Sequence, residues 1–125
     1  MRIREAVDTF WQNSDFCQAF ETATTIMRQH KNFYQQIVRK EGANSFQRLF
    51  AQSNIELSKI QIHNVSGKST DSATDFILEL YWYGTAQVLI NWIEDGMKQE
   101  PAVLSQLLYD GLPLPLKQYW SKNTH

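Results

Sequence analysis

The feature that most constrains the fold is the segment 72–98, which is apolar on nearly every side when it is drawn as an α-helix. A helix that is apolar all round must be buried nearly all round. In a domain of five or six helices, one broad face of this helix can be buried in the core. The other face must be covered either by more of the same chain or by a partner subunit, and we favour the partner subunit. One face carries Ala73, Phe76, Ile77, Leu80, Gly84, Gln87, Val88 and Asn91, and the other carries Leu78, Trp82, Ala86, Leu89 and Ile93.

The same segment contains the stretch nearest to membrane length, Phe76–Ile93. Glu79, Gln87 and Asn91 interrupt it, and such polar residues favour a buried helix over a membrane span. The amino-terminal sequence MRIREAVDTFW has charges where a signal peptide needs an apolar core. We therefore expect a cytoplasmic protein with no membrane partner.

Helical periodicity also dominates the rest of the chain. No alternation of apolar and polar residues is long enough for a strand, so we predict an all-α bundle of about six helices. Gly42 and Gly111 are the predicted stops of two of them. The predicted segments are 1–11, 16–31, 32–40, 44 to a loop at 64–70, 72–98, 101–110 and a last turn at 117–120. In the helix that opens at residue 44, the predicted apolar stripe is Phe46, Leu49, Phe50, Leu57 and Ile60.

Composition limits the function as well as the fold. The chain has 125 residues, with 12 Lys and Arg against 13 Asp and Glu, for a net charge of −1. One domain of this size can bury a core without covalent staples. The low net charge argues against intrinsic disorder. It also argues against nucleic-acid binding by this chain alone, because a domain that binds nucleic acid by itself is clearly basic. The single cysteine, Cys17, excludes an intrachain disulfide and a Cys-rich zinc site.

The residue types that carry catalysis are present but form no motif. The five glycines are dispersed, which excludes a Gly-rich phosphate loop. His30 and His63 lie in different predicted helices. Glu94 and Asp95 are adjacent, so they do not share a helix face. We expect no catalytic residue, no metal and no cofactor, and we keep a small helical enzyme with a bound cofactor as a third alternative.

Two amides and a glycine interrupt one apolar face of the long helix. Gly84, Gln87 and Asn91 follow one another at spacings of three and four residues, so they can touch a common object. A ligand pocket needs mostly apolar walls and a few polar groups, and Tyr81 and Phe33 are candidate walls. The alternative is that Gly84 allows close helix packing while the amides pair with polar groups of another helix.

Two stretches of this sequence resemble TetR-type transcriptional regulators. FILELYWYGTAQVLINWIEDGMKQEPAVLSQLL is similar to the penultimate and last helices of that family, through Tyr83-Gly84, Trp92-Ile93, Gly96-Met97 and Pro101. RQHKNFYQQIVRKEGANSFQRLF resembles earlier helices of the same domain, and its turn at 42–46 is similar to that of DhaS-like regulators of dihydroxyacetone kinase operons. The resemblance covers nearly the whole chain.

The resemblance implies the regulatory half of a bacterial TetR-type regulator, with residues 1–125 as one effector-binding and dimerisation domain. We expect the helix-turn-helix domain, which reads DNA in this family, to be absent from this chain. The implied partners are a second copy and either a small-molecule effector or a coregulator protein, since DhaS-like relatives work with a kinase-like coactivator. The alternative is a free-standing helical interaction module without a ligand. Which face of the long helix dimerises stays open; our candidate interface residues are Trp82, Ala86, Leu89, Ile93, Leu104, Leu107 and Leu108.

Overall fold

The computed structural model describes residues 16–40 and 43–120, and every regular element in those ranges is a helix. The predicted all-α class with about six helices is therefore confirmed. The predictions of a helix at 1–11 and of a helix stop at Gly42 lie outside the described residues. The helices are α1 (Phe16–Gln29), α2 (Lys31–Lys40), α3 (Ala43–Ser66), α4 (Ser72–Glu94), α5 (Pro101–Asp110) and α6 (Leu114–Lys117).

The inner face of α4 forms the centre of the core. Helix α3 lies along α4, α2 contacts both, and α5 lies along α1. Trp82 is the largest of the fully buried side chains, and its indole Nε1 donates a hydrogen bond to Ser58 Oγ of α3 at 2.9 Å. Its ring stacks on Phe20 of α1 with 6.0 Å between centroids. One buried aromatic residue thus connects three helices.

The carboxyl end of α4 differs from the sequence prediction, because the helix ends at Glu94 instead of near residue 98. Gly96 adopts a left-handed conformation with φ of 90°, and Met97 follows with φ of 54°. The Met97 N–H then donates to the Trp92 carbonyl at 2.7 Å, which satisfies one of the free carbonyls at the helix end. This tight turn allows the Met97 side chain to be buried in the core.

The buried stripe of α3 also differs from the prediction. Leu49 and Ile60, which we placed in the stripe, are 52% and 56% exposed. Two polar residues replace them on the buried side: Ser58 accepts from the Trp82 indole, and Asn54 donates to the Phe50 carbonyl at 2.9 Å. Because both polar side chains have partners, they can be buried without a large penalty. The buried residues of α3 are Phe46, Phe50, Ala51, Asn54, Ser58 and Ile62.

Helix α5 begins and ends where the sequence predicts, with Pro101 in its first turn and Gly111 at its C-cap. Leu104 and Leu108 are buried on its inner side. The Tyr81 hydroxyl of α4 donates to the Leu108 carbonyl at 2.7 Å and so ties the two helices together. The last helical turn, α6, lies at 114–117 and not at the predicted 117–120.

Candidate functional site

The outer face of α4 is a row of exposed apolar side chains. Phe76 and Leu80 are 67% and 66% exposed, and Val88 is 43% exposed. Gly84 lies between Leu80 and Val88 and leaves a gap, because a Cβ placed on it would meet nothing within 4 Å. A row of exposed large apolar side chains on one helix is typical of a surface that another molecule covers.

Two amide side chains form the polar part of the same face. Gln87 Nε2 donates to Asn91 Oδ1 at 3.0 Å, and both side chains are exposed. Each amide therefore meets part of its hydrogen-bonding need within its own helix. This pairing lowers the cost of covering the face with a partner.

Helix α5 also has exposed apolar side chains. Val103 and Leu107 are about half exposed, at 50% and 53%. The two helices border a common groove, because Val88 and Asn91 of α4 and Leu104 of α5 all line it. This groove has a volume of about 570 Å³ and also holds two carboxylates at the end of α4, those of Glu94 and Asp95.

A second groove lies between α3 and α4 beside Gly84. Its volume is about 420 Å³. Gln47 of α3 lies at the edge of this groove, and its Nε2 donates a hydrogen bond to the Tyr83 carbonyl of α4 at 3.1 Å. The groove is open to solvent, so it can accept a side chain or a small molecule but does not enclose one. Its lining residues are Gln47, Phe76, Glu79, Leu80, Tyr83, Gly84 and Gln87.

The structure brings together three of the five candidate ligand-binding residues. Gly84, Gln87 and Asn91 share the outer face of α4. Tyr81 turns inward, where burial raises the pKa of its phenol and its hydroxyl bonds the carbonyl of α5. Phe33 of α2 lines a different depression, together with its neighbours at 29–32. Tyr81 and Phe33 are therefore not walls of a pocket at Gly84.

The candidate dimer residues of α4 lie on the wrong side of the helix for contact with another molecule. Trp82, Ala86, Leu89 and Ile93 are each no more than 1% exposed, because α2 and α3 pack against α4 and Phe20 of α1 stacks on Trp82. Leu104 and Leu108 of α5 are likewise buried at 3% and 7%. Of the seven candidates only Leu107 is exposed. The face of α4 that another molecule can contact is therefore the outer one.

A comparison with known protein families matches residues 14–112 to the family described as transcriptional regulator C-terminal region, TetR_C_8. The chain belongs to this family. The match runs through α1–α5 and therefore includes both faces of α4. The searches of curated proteins and of solved structures gave no match.

The helical bundle is consistent with a TetR-type C-terminal domain, and the family is one of regulators. Within residues 16–40 and 43–120, no three His, Cys, Asp or Glu side chains come together as a metal site. His30 is exposed in the turn between α1 and α2, His63 is exposed on α3, and His125 lies outside the described part of the chain. None of the helices described here is long and apolar enough to cross a membrane.

Proposed function

We propose that this TetR-type domain forms a homodimer through the outer faces of α4 and α5, and that the dimer controls DNA binding by a helix-turn-helix domain. The observation that carries the proposal is the exposed apolar row of Phe76, Leu80 and Val88 on α4, and α5 has two further exposed apolar residues, Val103 and Leu107. TetR-type regulators bind DNA as dimers that pair through their last helices. In this chain both of those helices have exposed apolar side chains, and both border one groove, lined by Val88 and Leu104.

The centre of this face favours a second copy over a charged partner. Residues 80–93 contain no Asp, Glu, Lys or Arg, so the middle of the surface is electrically neutral. A two-fold interface brings a surface against itself, and a charged centre would repel its own copy. An uncharged apolar centre avoids that repulsion and can be buried at low cost.

Regulation requires a ligand that prefers one of two conformations of the dimer. We propose that this ligand is a small-molecule effector or a coregulator protein, and the likeness to DhaS-like regulators favours the protein. The open grooves beside α4 also favour a protein, because they do not enclose a small molecule. We propose no catalytic role. We propose that this single regulatory domain acts in the cytoplasm of a bacterium.

The test is the molar mass of the chain in solution. Light scattering across a dilution series should give twice the 14.6 kDa chain mass at micromolar concentration. Leu80→Glu should shift the mass to that of a monomer, since a charge in a buried apolar contact has no partner. Because Leu80 is exposed in the single chain, the variant keeps its helical circular dichroism.

Leu49→Glu is the matched control, because Leu49 is also an exposed leucine, 52% accessible, on the neighbouring helix α3. Gln47 of α3 lines the groove beside Gly84, and Leu49, two residues later, lies on the opposite side of α3. The control should stay a dimer. A wild-type monomer throughout the dilution series would refute the dimer and favour a free-standing interaction module.

A further inference from the structure

Four residues on the outer face of α4 form a row at intervals of four: Phe76, Leu80, Gly84 and Val88. Such a row is one of the ridges by which helices interlock. Gly84 is a notch in the ridge, with large apolar side chains on both sides of it. A Cβ at Gly84 would meet nothing within 4 Å, so packing within the single chain does not require a glycine there.

A glycine in the middle of a helix reduces stability, because it adds flexibility to the unfolded chain and no packing to the folded one. Gly84 lies twelve residues after the start of a 23-residue helix and has no positive φ. Neither backbone conformation nor contacts within the chain explain it. Close approach by a second helix does explain it, because small residues let two backbones come near each other.

We propose that α4 crosses its own copy at Gly84 in an antiparallel arrangement, with Leu80 of one chain against Val88 of the partner subunit. This inference rests on the proposed dimer, and it adds the point and direction of contact. The row supports it by its symmetry: an apolar residue lies one turn before Gly84 and another lies one turn after it. A two-fold axis through Gly84 therefore places the two apolar residues opposite each other.

The charges at the ends of α4 determine how steep the crossing is. Asp71 and Asp75 lie at its amino end, and Glu94 and Asp95 lie at its carboxyl end. Two closely aligned antiparallel copies would bring these four acids together at each end. Lys59, 3.7 Å from Asp75, partly offsets one of them.

A steep crossing removes this repulsion. Ridges made of every fourth residue interlock at an angle of roughly 50°. At a rise of about 1.5 Å per residue, the amino end of α4 lies about 18 Å and the carboxyl end about 15 Å from Gly84, so such an angle separates opposite ends by roughly 14 Å sideways. That distance exceeds the screening length of about 8 Å at physiological salt. The groove of about 420 Å³ beside Gly84 leaves room for side chains of the copy.

Disulfide cross-linking tests the crossing point directly, since Cys17 is the one native cysteine. In a Cys17→Ser background, Gly84→Cys should oxidise to a covalent dimer, because two helices that cross at this residue bring the cysteines within the roughly 4.4–6.8 Å between Cα atoms that a disulfide needs. Phe76→Cys is the control. In an antiparallel crossing it lies two turns from the axis and should not link to its own copy.

A mixture of Leu80→Cys protein with Val88→Cys protein, one of them carrying a tag, should give the mixed covalent dimer in preference to either pure one. Efficient linking of Phe76→Cys to its own copy would instead indicate a parallel arrangement and overturn the proposal. Absence of linking at Gly84→Cys, with a dimer still present by light scattering, would overturn the crossing point as well.

Gly84→Leu provides an independent test with opposite expectations. If the helices cross at Gly84, the added side chain holds them apart, and the dissociation constant should rise at least tenfold. If this face dimerises with another crossing point, the added apolar surface should leave association unchanged or strengthen it.

Comparison with Leu80→Glu separates the two proposals. A dimer that Leu80→Glu breaks and Gly84→Leu leaves intact keeps the proposed function and overturns the crossing at Gly84. A wild-type chain that is monomeric at all concentrations overturns both.

Discussion

At the scale of single residues, the bond between Trp82 and Ser58 is a sensitive point of the core. The indole Nε1 donates to the serine hydroxyl at 2.9 Å, and Ser58 is completely buried. Ser58→Ala removes this acceptor, and a buried donor without its acceptor costs about 1–3 kcal/mol. We expect the free energy of unfolding, measured by urea denaturation, to fall by that amount.

Ser53→Ala is the control for this prediction. Ser53 is half-buried on the same helix α3, so the variant loses a hydroxyl of the same kind at a site away from the indole. Its unfolding free energy should stay within about 0.5 kcal/mol of wild type, as is usual for changes away from buried features. Equal losses in both variants would mean that helix α3, and not the bond to Trp82, accounts for the effect.

At the scale of secondary-structure elements, the start of α4 depends on a charged cap. Asp71 accepts a hydrogen bond from the Thr74 backbone N–H at 2.8 Å, and this bond holds the pKa of its carboxyl below the usual value. A folded-state pKa below the unfolded one means that the stabilisation is complete above the unfolded value, about pH 4, and is lost as the pH falls through the folded value.

Asp71→Asn keeps an acceptor at the cap and removes the charge. Wild type should have a higher Tm than this variant at neutral pH, and the difference should disappear in acid once Asp71 is protonated. Thermal melts followed by circular dichroism at both pH values measure this. A difference in Tm that is the same at every pH would show that the charge of Asp71 does not contribute.

Also at this scale, the sequence predicts the two apolar faces of α4 but not which one the chain covers. Both faces have large apolar residues at helical spacing, so periodicity alone treats them alike. The difference comes from tertiary packing, because α3 covers the face that contains Trp82, and Ser58 of α3 accepts a hydrogen bond from its indole. A serine in a buried stripe gives no apolar signal, and for the same reason periodicity wrongly places Leu49 and Ile60 in the buried stripe of α3. The exposure of the ridge around Gly84 is therefore a property of the packed structure and not of the periodicity.

At the scale of the whole molecule, the weak net charge predicts how the chain behaves towards DNA. Proteins bind DNA non-specifically by neutralising phosphates with Lys and Arg, and this chain has 12 of these against 13 acids. Arg39 and Lys40 form the most basic helix end, in the last turn of α2, and both are exposed. Two adjacent cations at one site neutralise too few phosphates to hold a duplex.

We therefore expect no measurable affinity of this chain for duplex DNA, because its 12 Lys and Arg residues are offset by 13 Asp and Glu residues and leave no net positive charge. Gel-shift titration at low salt is the most sensitive test, since electrostatic binding is strongest there. Salt-sensitive binding in the micromolar range would contradict the prediction. If such binding occurs and Arg39→Glu with Lys40→Glu abolishes it, the end of α2 contacts DNA, and this domain would contribute directly to DNA binding instead of acting only through dimer geometry.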